Sequence, residues 1–157
     1  MADIRAGVPE DAGALTRIAL AAKRHWNYPE EWIRLWRRDL VVTDGYMHDH
    51  PVYVAVIDRS PVGFVALDMR AGSEEVDHLW VLPRWMGRGI GRRLMERALA
   101  HCRYAGVESL RVLSDPHAAE FYRRLGAVYE GEAPSRPAPR TIPQFRVDIN
   151  RFTTART

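Results

Sequence analysis

The stretch between residues 76 and 113 constrains the fold of this chain more than any other part of it. Residues 76–82 read as a strand stopped by Pro83. From Gly89 to Tyr104 the apolar set Ile90, Leu94, Met95, Ala98, Leu99 and Cys102 keeps the helical period, and residues 109–113 read as a strand again. A strand, a helix and a strand joined in this way form a crossover, which requires a parallel pair. An all-helical or purely antiparallel architecture is excluded, and an α/β fold with a mixed sheet is expected.

The strand and the helix are joined by Pro83-Arg84-Trp85-Met86-Gly87-Arg88-Gly89-Ile90-Gly91-Arg92-Arg93. A glycine-rich loop that runs into a helix N-terminus offers free backbone N–H groups and the positive end of the helix dipole, which together suit a phosphate. Gly87, Gly89 and Gly91 keep side chains out of the way, and Arg88 and Arg92 can add charge-assisted hydrogen bonds. The dinucleotide fingerprint is not met, because Arg92 stands where a small residue is needed, and the Walker sequence Gly-Lys-Ser/Thr is absent.

The remainder reads as follows. Residues 4–6 form a short strand, and residues 9–24 a helix with Leu15, Ile18, Ala19 and Ala22 on one side. Pro29 opens a second helix with the stripe Trp32, Leu35, Trp36 and Leu40. Asp44-Gly45 marks a break, with Asp44, His48 and His50 in a loop. Residues 51–57 and 62–69 form a hairpin around Asp58-Arg59-Ser60-Pro61. Residues 117–125 form a short helix ended by Gly126 in the left-handed conformation. Residues 127–129 and 145–149 are the last strands, and the prolines at 134, 137, 139 and 143 make 132–143 an irregular connection.

A chain of 157 residues suits one domain, expected to span 1–157. Its 46% apolar and 27% charged residues exclude a disordered or fibrous chain. The net charge of +3 rests on arginine, since Lys23 is the only lysine. A nucleic-acid partner calls for a dense basic stripe interleaved with aromatics. The one basic stripe, 84–93, is accounted for by the glycine loop, so no nucleic acid is expected. The lone Cys102 points to a reducing compartment. No apolar run reaches membrane length and no hydrophobic leader opens the chain, so no membrane partner and a cytoplasmic location are expected. No ordered ligand spacing points to a metal.

The order Val81-x-Pro83, three residues, Gly-x-Gly-x-Gly and an amphipathic helix resembles the acetyl-CoA motif of the GNAT superfamily of N-acetyltransferases. A second segment, Asp115-Pro116-His117-Ala118-Ala119-Glu120-Phe121-Tyr122-Arg123-Arg124-Leu125-Gly126-Ala127, is similar to that superfamily's segment ending in Tyr-x-x-x-Gly-Phe. Together the matches cover roughly residues 75 to 130. Met86 stands where Gln or Arg is usual, Asp115 where Asn is usual, and Ala127 where Phe is usual.

The resemblance implies a single-domain GNAT fold: a mixed, mostly antiparallel sheet with splayed parallel fourth and fifth strands, and helices on both faces. It implies acetyl-CoA as co-substrate without a metal, and direct transfer to a primary amine of a small molecule or peptide. Backbone groups of Trp80, Val81 and Leu82 would meet the pantetheine arm, and a bulge N–H there would stabilise the thioester oxygen. Gly87, Arg88, Gly89, Ile90, Gly91 and Arg92 would hold the pyrophosphate, with further cofactor contacts from Asp115 and Tyr122. A homodimer stays open. The alternative function is a non-catalytic acyl-CoA-binding sensor of the same fold.

The chemistry asks for an acid and a base. An alkyl amine with a pKa of about 10 is protonated at neutral pH, and a thiolate with a parent pKa of about 8.5 leaves more easily beside a proton donor. Tyr122, four residues before Gly126, stands where the superfamily often has its general acid; packing beside Phe121 is the other reading. For the base, Glu75 and Asp77 share one face of the strand, and Glu74 and His78 the other. Glu75 aligns with a catalytic Glu of some members, His78 is a base or a core histidine, and a water chain serving several carboxylates is a third route; a solvated strand entrance is the equal alternative for each of the four. His25, Trp26, Tyr28, Trp32 and Trp36 fall where the family's first two helices wall the acceptor site. Trp26 and Tyr28 are the candidates there for cation–π contact, Trp32 and Trp36 reading also as core. Arg140, like Arg136, is a candidate to hold an acceptor carboxylate, an exposed connection with incidental arginine being the favoured reading of both.

Overall fold

Period-two and period-3.6 stretches alternate along the chain, and the computed structural model, which describes residues 1–154, turns them into seven strands and six helices among those residues. In order these are β1 (Asp3–Ala6), α1 (Ala12–Arg24), α2 (Glu30–Leu40), α3 (Asp44–Asp49), β2 (Val52–Ile57), β3 (Ser60–Asp68), β4 (Glu75–Val81), α4 (Ile90–Tyr104), β5 (Ser109–Leu113), α5 (Ala119–Arg124), β6 (Val128–Pro134), β7 (Thr141–Asp148) and α6 (Ile149–Thr154). The sheet order is β1-β2-β3-β4-β5-β7-β6, with β4 and β5 parallel, so the expected mixed α/β sheet is found. The end of the domain expected to span 1–157 lies outside the described residues. By its contacts the chain divides into two units: Met1–Leu67 with Asp77–Ala98, and Asp68–Val76 with the chain from Leu99 onward.

In the first unit β1 pairs antiparallel with β2, and β2 with β3. Asp58 and Arg59 both have positive φ, 49° and 67°, which makes a two-residue turn whose twist suits a hairpin. β3 therefore starts at Ser60, two residues earlier than the sequence suggested. Pro61 pairs with Val56 beside an irregularity at Ala55/Val56, a position where a missing N–H is tolerated. Leu15, Ile18 and Ala19 of α1 pack with Ile33, Trp36 and Leu40 of α2 and with Val54, Phe64 and Ala66 of the strands. The stripe of α2 is thus Ile33, Trp36 and Leu40 rather than the predicted one: the helical spacing turns Leu35 outward, 39% exposed, and leaves Trp32 partly buried.

The break expected at Asp44-Gly45 is a helix start instead. The Thr43 hydroxyl accepts the Tyr46 N–H at 3.0 Å, so Thr43 caps α3, and Asp44 sits in the first turn where the helix dipole favours a carboxylate. His48 therefore lies on this short helix, and His50 is its C-cap. In α4, Ile90, Leu94, Met95, Ala98, Leu99 and Cys102 are all buried, as their period predicts.

One close approach decides where β4 lies. A Cβ built on Gly63 of β3 would stand 2.9 Å from the Trp80 carbonyl oxygen and 3.3 Å from side-chain atoms of Leu94 and Val81. Only a residue without a side chain lets β4 and α4 come this near to β3.

In the second unit Glu75 pairs with Arg111 and Val76 with Val112, and the parallel ladder is confined to these two positions. β5 then pairs antiparallel with β7, and β7 with β6. The final hairpin is longer than the prolines suggested, and the irregular connection shrinks to 135–140. Pro134 ends the edge strand β6, where its lack of a donor costs nothing, and Pro143 needs only its carbonyl, which accepts the Ser114 N–H at 2.9 Å. Pro143, Phe145 and Val147 alternate as the buried side of β7. Gly126 ends α5 with φ 89°, as expected.

Gly63→Val is expected to lower the stability of the protein by about 1–3 kcal/mol, the cost of overfilling a close-packed site. Urea unfolding measures this, and unchanged stability would contradict the close approach of β4 to β3.

Candidate active site

The glycine loop takes its shape from local bonds. Leu82 donates its N–H to the Val62 carbonyl at 2.8 Å and accepts from the Trp85 N–H at 2.9 Å, so the chain leaves β4 in the single turn Pro83–Trp85. Gly87 and Gly89 then have φ of 75° and 82°, and a Cβ at either would meet nothing within 4 Å. Glycine is required there by the backbone conformation, and the space beside it is open. Helical bonding begins with Arg93 N–H to Gly89 O at 3.1 Å, so the N–H groups of Ile90, Gly91 and Arg92 precede the ladder. Ile90 is buried and anchors this end of α4. The Arg88 guanidinium lies 4.9 Å from the Trp85 ring centroid, Arg84 lies 5.3 Å from it, and Arg92 Nε is 3.5 Å from Glu96. An open cradle of N–H groups flanked by guanidinium groups can hold a pyrophosphate.

Of the three residues expected to offer backbone groups to a pantetheine arm, Trp80 turns its carbonyl toward Gly63 and Leu82 bonds to Val62. By the alternation of the strand, the groups of Val81 point away from β3.

The side chains of β4 fall into two sets. Within the first unit, Trp80 Nε1 donates to His78 Nδ1 at 3.0 Å. An indole N–H can only donate, so Nδ1 is the bare nitrogen and the proton of a neutral imidazole is on Nε2, 3.9 Å from the Asp77 carboxylate. Burial pushes the His78 pKa down. Asp77 and Asp39 oppose that shift, and His50 adds to it. A neutral ring whose acceptor nitrogen is already used positions Trp80 and is poorly arranged to take a proton. Asp77 itself accepts the Tyr46 hydroxyl. The Tyr46 ring stacks on His50 at 3.8 Å with 10° between planes and meets His78 edge-on at 5.5 Å, and His50 Nδ1 donates to the Tyr46 carbonyl at 3.0 Å.

Tyr46 escaped the sequence reading, and His50 was expected only as a loop residue. The Thr43 cap could have signalled the helix that carries Tyr46, but nothing local announces a contact with a residue 31 positions away. In the second unit, Glu75 is held by Arg111 Nε at 2.9 Å in an ion pair.

The aromatic residues do enclose an ammonium group, and it is the chain's own. Lys23 Nζ lies 4.2 Å from the Trp36 ring centroid, 4.9 Å from Tyr28 and 5.8 Å from Trp80, with only 9% of the residue exposed. Tyr28 also stacks on Trp32 at 6.0 Å, whereas Trp26 meets His25 at 4.7 Å. Arg140, in the second unit, donates to Ser135 Oγ at 3.0 Å.

Also in the second unit, Tyr122 is buried with its ring 5.1 Å from Phe121 and 6.1 Å from Phe145, and burial pushes its hydroxyl above the ordinary phenol value. Asp115 caps the turn Pro116–Ala118: its Oδ1 accepts from the His117 N–H and from His117 Nδ1, each at 2.9 Å. Burial, with Glu74 adding to it, raises the Cys102 thiol to about 11, which leaves no thiolate nucleophile near neutral pH. Among the described residues no group of three or more His, Cys, Asp or Glu side chains is placed to hold a metal, and no helix is long and apolar enough to cross a membrane.

Residues 48–126, about half of the chain, match the acetyltransferase (GNAT) domain. The chain belongs to the GNAT acetyltransferase family. Among GNAT relatives, an uncharacterized N-acetyltransferase of Methanocaldococcus jannaschii is 29% identical over 113 residues, covering 66% of this chain and 48% of the relative. The peptidyl-lysine N-acetyltransferase YjaB of Salmonella typhimurium is 28% identical over 121 residues, covering 66% of this chain and 79% of YjaB. This chain thus spans about half the length of the first relative and most of the second. The fold is that of the PaiA N-acetyltransferase from Thermoplasma acidophilum, solved in complex with coenzyme A: the TM-score is 0.80 at 20% identity, over 94% of this chain and 99% of that one.

In this GNAT member a bulky residue in the cradle should block it. Gly89→Trp is expected to weaken acetyl-CoA binding by at least about tenfold, while strain at a positive φ costs only about 1–3 kcal/mol of stability. Calorimetry on the folded variant checks this, and normal affinity would place the phosphate site elsewhere.

Proposed function

We propose that this GNAT protein is an acetyl-CoA-dependent N-acetyltransferase that passes the acetyl group directly to a primary amine. The observation that carries the reading is the cradle: two glycines in left-handed conformation with open space beside them, followed at once by the N–H groups that precede the helical ladder of α4. In a family member, that arrangement fits the pyrophosphate of coenzyme A. Ile90, Gly91 and Arg92 would supply N–H groups to it, Arg88 and Arg92 would supply charge, and Val81 would offer its backbone to the pantetheine arm. Acetyl-CoA supplies the thioester carbonyl that the amine attacks.

Direct transfer is supported by the thiol inventory. The only cysteine is buried and raised to about 11, so it is unsuited to carry an acyl group. On the strength of the second sequence motif, Tyr122 is the donor to the departing sulfur. Its hydroxyl, raised by burial above about 10, stays protonated across neutral pH. Full proton transfer from such a phenol to a thiolate with a parent pKa of about 8.5 runs uphill, so Tyr122 acts by hydrogen bonding to the developing charge. The acceptor belongs to the class of primary amines; the name of YjaB specifies peptidyl-lysine for that relative, which makes a lysine side chain in a peptide the natural first probe.

The test is release of free CoA from acetyl-CoA with a set of amines, including lysine peptides. Turnover above hydrolysis supports the enzyme; binding of acetyl-CoA with no release for any amine would make the protein an acyl-CoA sensor. With an active acceptor, Tyr122→Phe is expected to lower kcat by about tenfold or more and to change acetyl-CoA affinity less. Unchanged kcat would remove Tyr122 from the reaction.

A further inference from the structure

Asp77 stands apart from the carboxylates that hold an arginine. Asp11 is clasped by Arg5, Asp68 by Arg70, Glu75 by Arg111 and Asp148 by Arg146, each pair within 3.0 Å. Asp77 has a hydroxyl for a partner instead. Tyr46 donates to its Oδ2, and the one basic group within 4.0 Å among the described residues is the Nε2 of His78, on a ring that burial keeps neutral. The side chain of Asp77 retains 35% of its accessible surface. The Tyr46 that holds it belongs to a group of rings, with His50 stacked on Tyr46 and His78 meeting it edge-on. A carboxylate with one oxygen fixed, no cation of its own and π faces nearby is a receptor for a positively charged amine.

Resting on the N-acetyltransferase reading above, we propose that Asp77 docks the ammonium form of the acceptor, with Tyr46 as the residue that positions it. The same unit already shows aromatic rings holding an ammonium group, but the Tyr28, Trp36 and Trp80 set is filled by Lys23. An incoming cation is therefore directed to Asp77. The acceptor class that follows is an alkylamine or arylalkylamine recognised through its positive charge, which includes a lysine side chain. Tyr46 fixes Oδ2 and leaves Oδ1 to the ligand. The stack on His50 and the bond from His50 Nδ1 to the Tyr46 carbonyl hold the Tyr46 ring in place.

The experiment titrates the full chain with phenethylammonium and with the neutral 2-phenylethanol, and then measures CoA release with phenethylamine and acetyl-CoA. The wild-type protein is expected to bind the ammonium at least about tenfold more tightly than the alcohol, and Asp77→Asn to abolish that preference. Tyr46→Phe keeps the ring and its stack but loses the donor. It should weaken ammonium binding and raise the acceptor KM by about tenfold or less, with the KM for acetyl-CoA and the melting temperature unchanged. A purely structural Tyr46 would move the melting temperature and both KM values together, which would overturn its positioning role. Equal binding of alcohol and ammonium, or unaltered ammonium binding by folded Asp77→Asn, would overturn the proposal. If CoA is released with phenethylamine and Asp77→Asn leaves the acceptor KM unchanged, acetyl transfer stands and the docking role falls. If the ammonium binds through Asp77 and no CoA is released with phenethylamine or with any other amine of the set, cation binding at Asp77 stands and the transferase reading falls.

Discussion

The approach of the Trp80 carbonyl to the bare Cα of Gly63 sets the position of β4, and the chemistry of the first unit hangs from that strand. With β4 drawn against β3, the Trp80 indole reaches His78 on one side and joins the rings around Lys23 on the other. The same strand presents Asp77 to Tyr46. Its end, tied to β3 by the bond from Leu82 to Val62, delivers the chain into the turn Pro83–Trp85 and then into the two left-handed glycines. A single methyl group at position 63 would disturb all of these at once, because close-packed strands have no slack to absorb it.

The buried polar groups follow one logic. Charge taken out of water is either paired, as Asp11 is by Arg5, or spread over aromatic faces, as for Lys23. Groups that can be neutral are made so by burial: His78 is pushed down, and Tyr122 and Cys102 are pushed up. In the proposed reaction this leaves a phenol that donates a hydrogen bond without ionising, a thiol that does not compete for the acetyl group, and a carboxylate at Asp77 open to a cation.

What was legible in the sequence was whatever local chemistry decides. Gly87, Gly89 and Gly126 occupy left-handed positions that few other residues accept, and α4 buries the apolar set its period marks out. The strand-helix-strand order fixed the parallel pair of β4 and β5. Errors arose where a local signal has two outcomes. Asp44-Gly45 follows a threonine able to cap a helix, so a break became a helix start. Pro134 and Pro143 sit where a strand needs no donor from them, so the last hairpin runs past them. Leu35 and Ile33 both fit an apolar stripe two positions wide, and only packing against α1 and the strands chose between them. Tertiary contacts such as Tyr46 with Asp77, or Lys23 with Trp80, leave no local trace, which is why the cation among the aromatic rings proved to belong to the chain itself.

The cradle of N–H groups at the start of α4 is the centre of this account, and calorimetric titration of the purified protein with acetyl-CoA tests it most directly, with CoA and ATP as comparison ligands. Saturable binding that favours acetyl-CoA over ATP is the expected result. A protein shown to be folded that takes up no acetyl-CoA would contradict it.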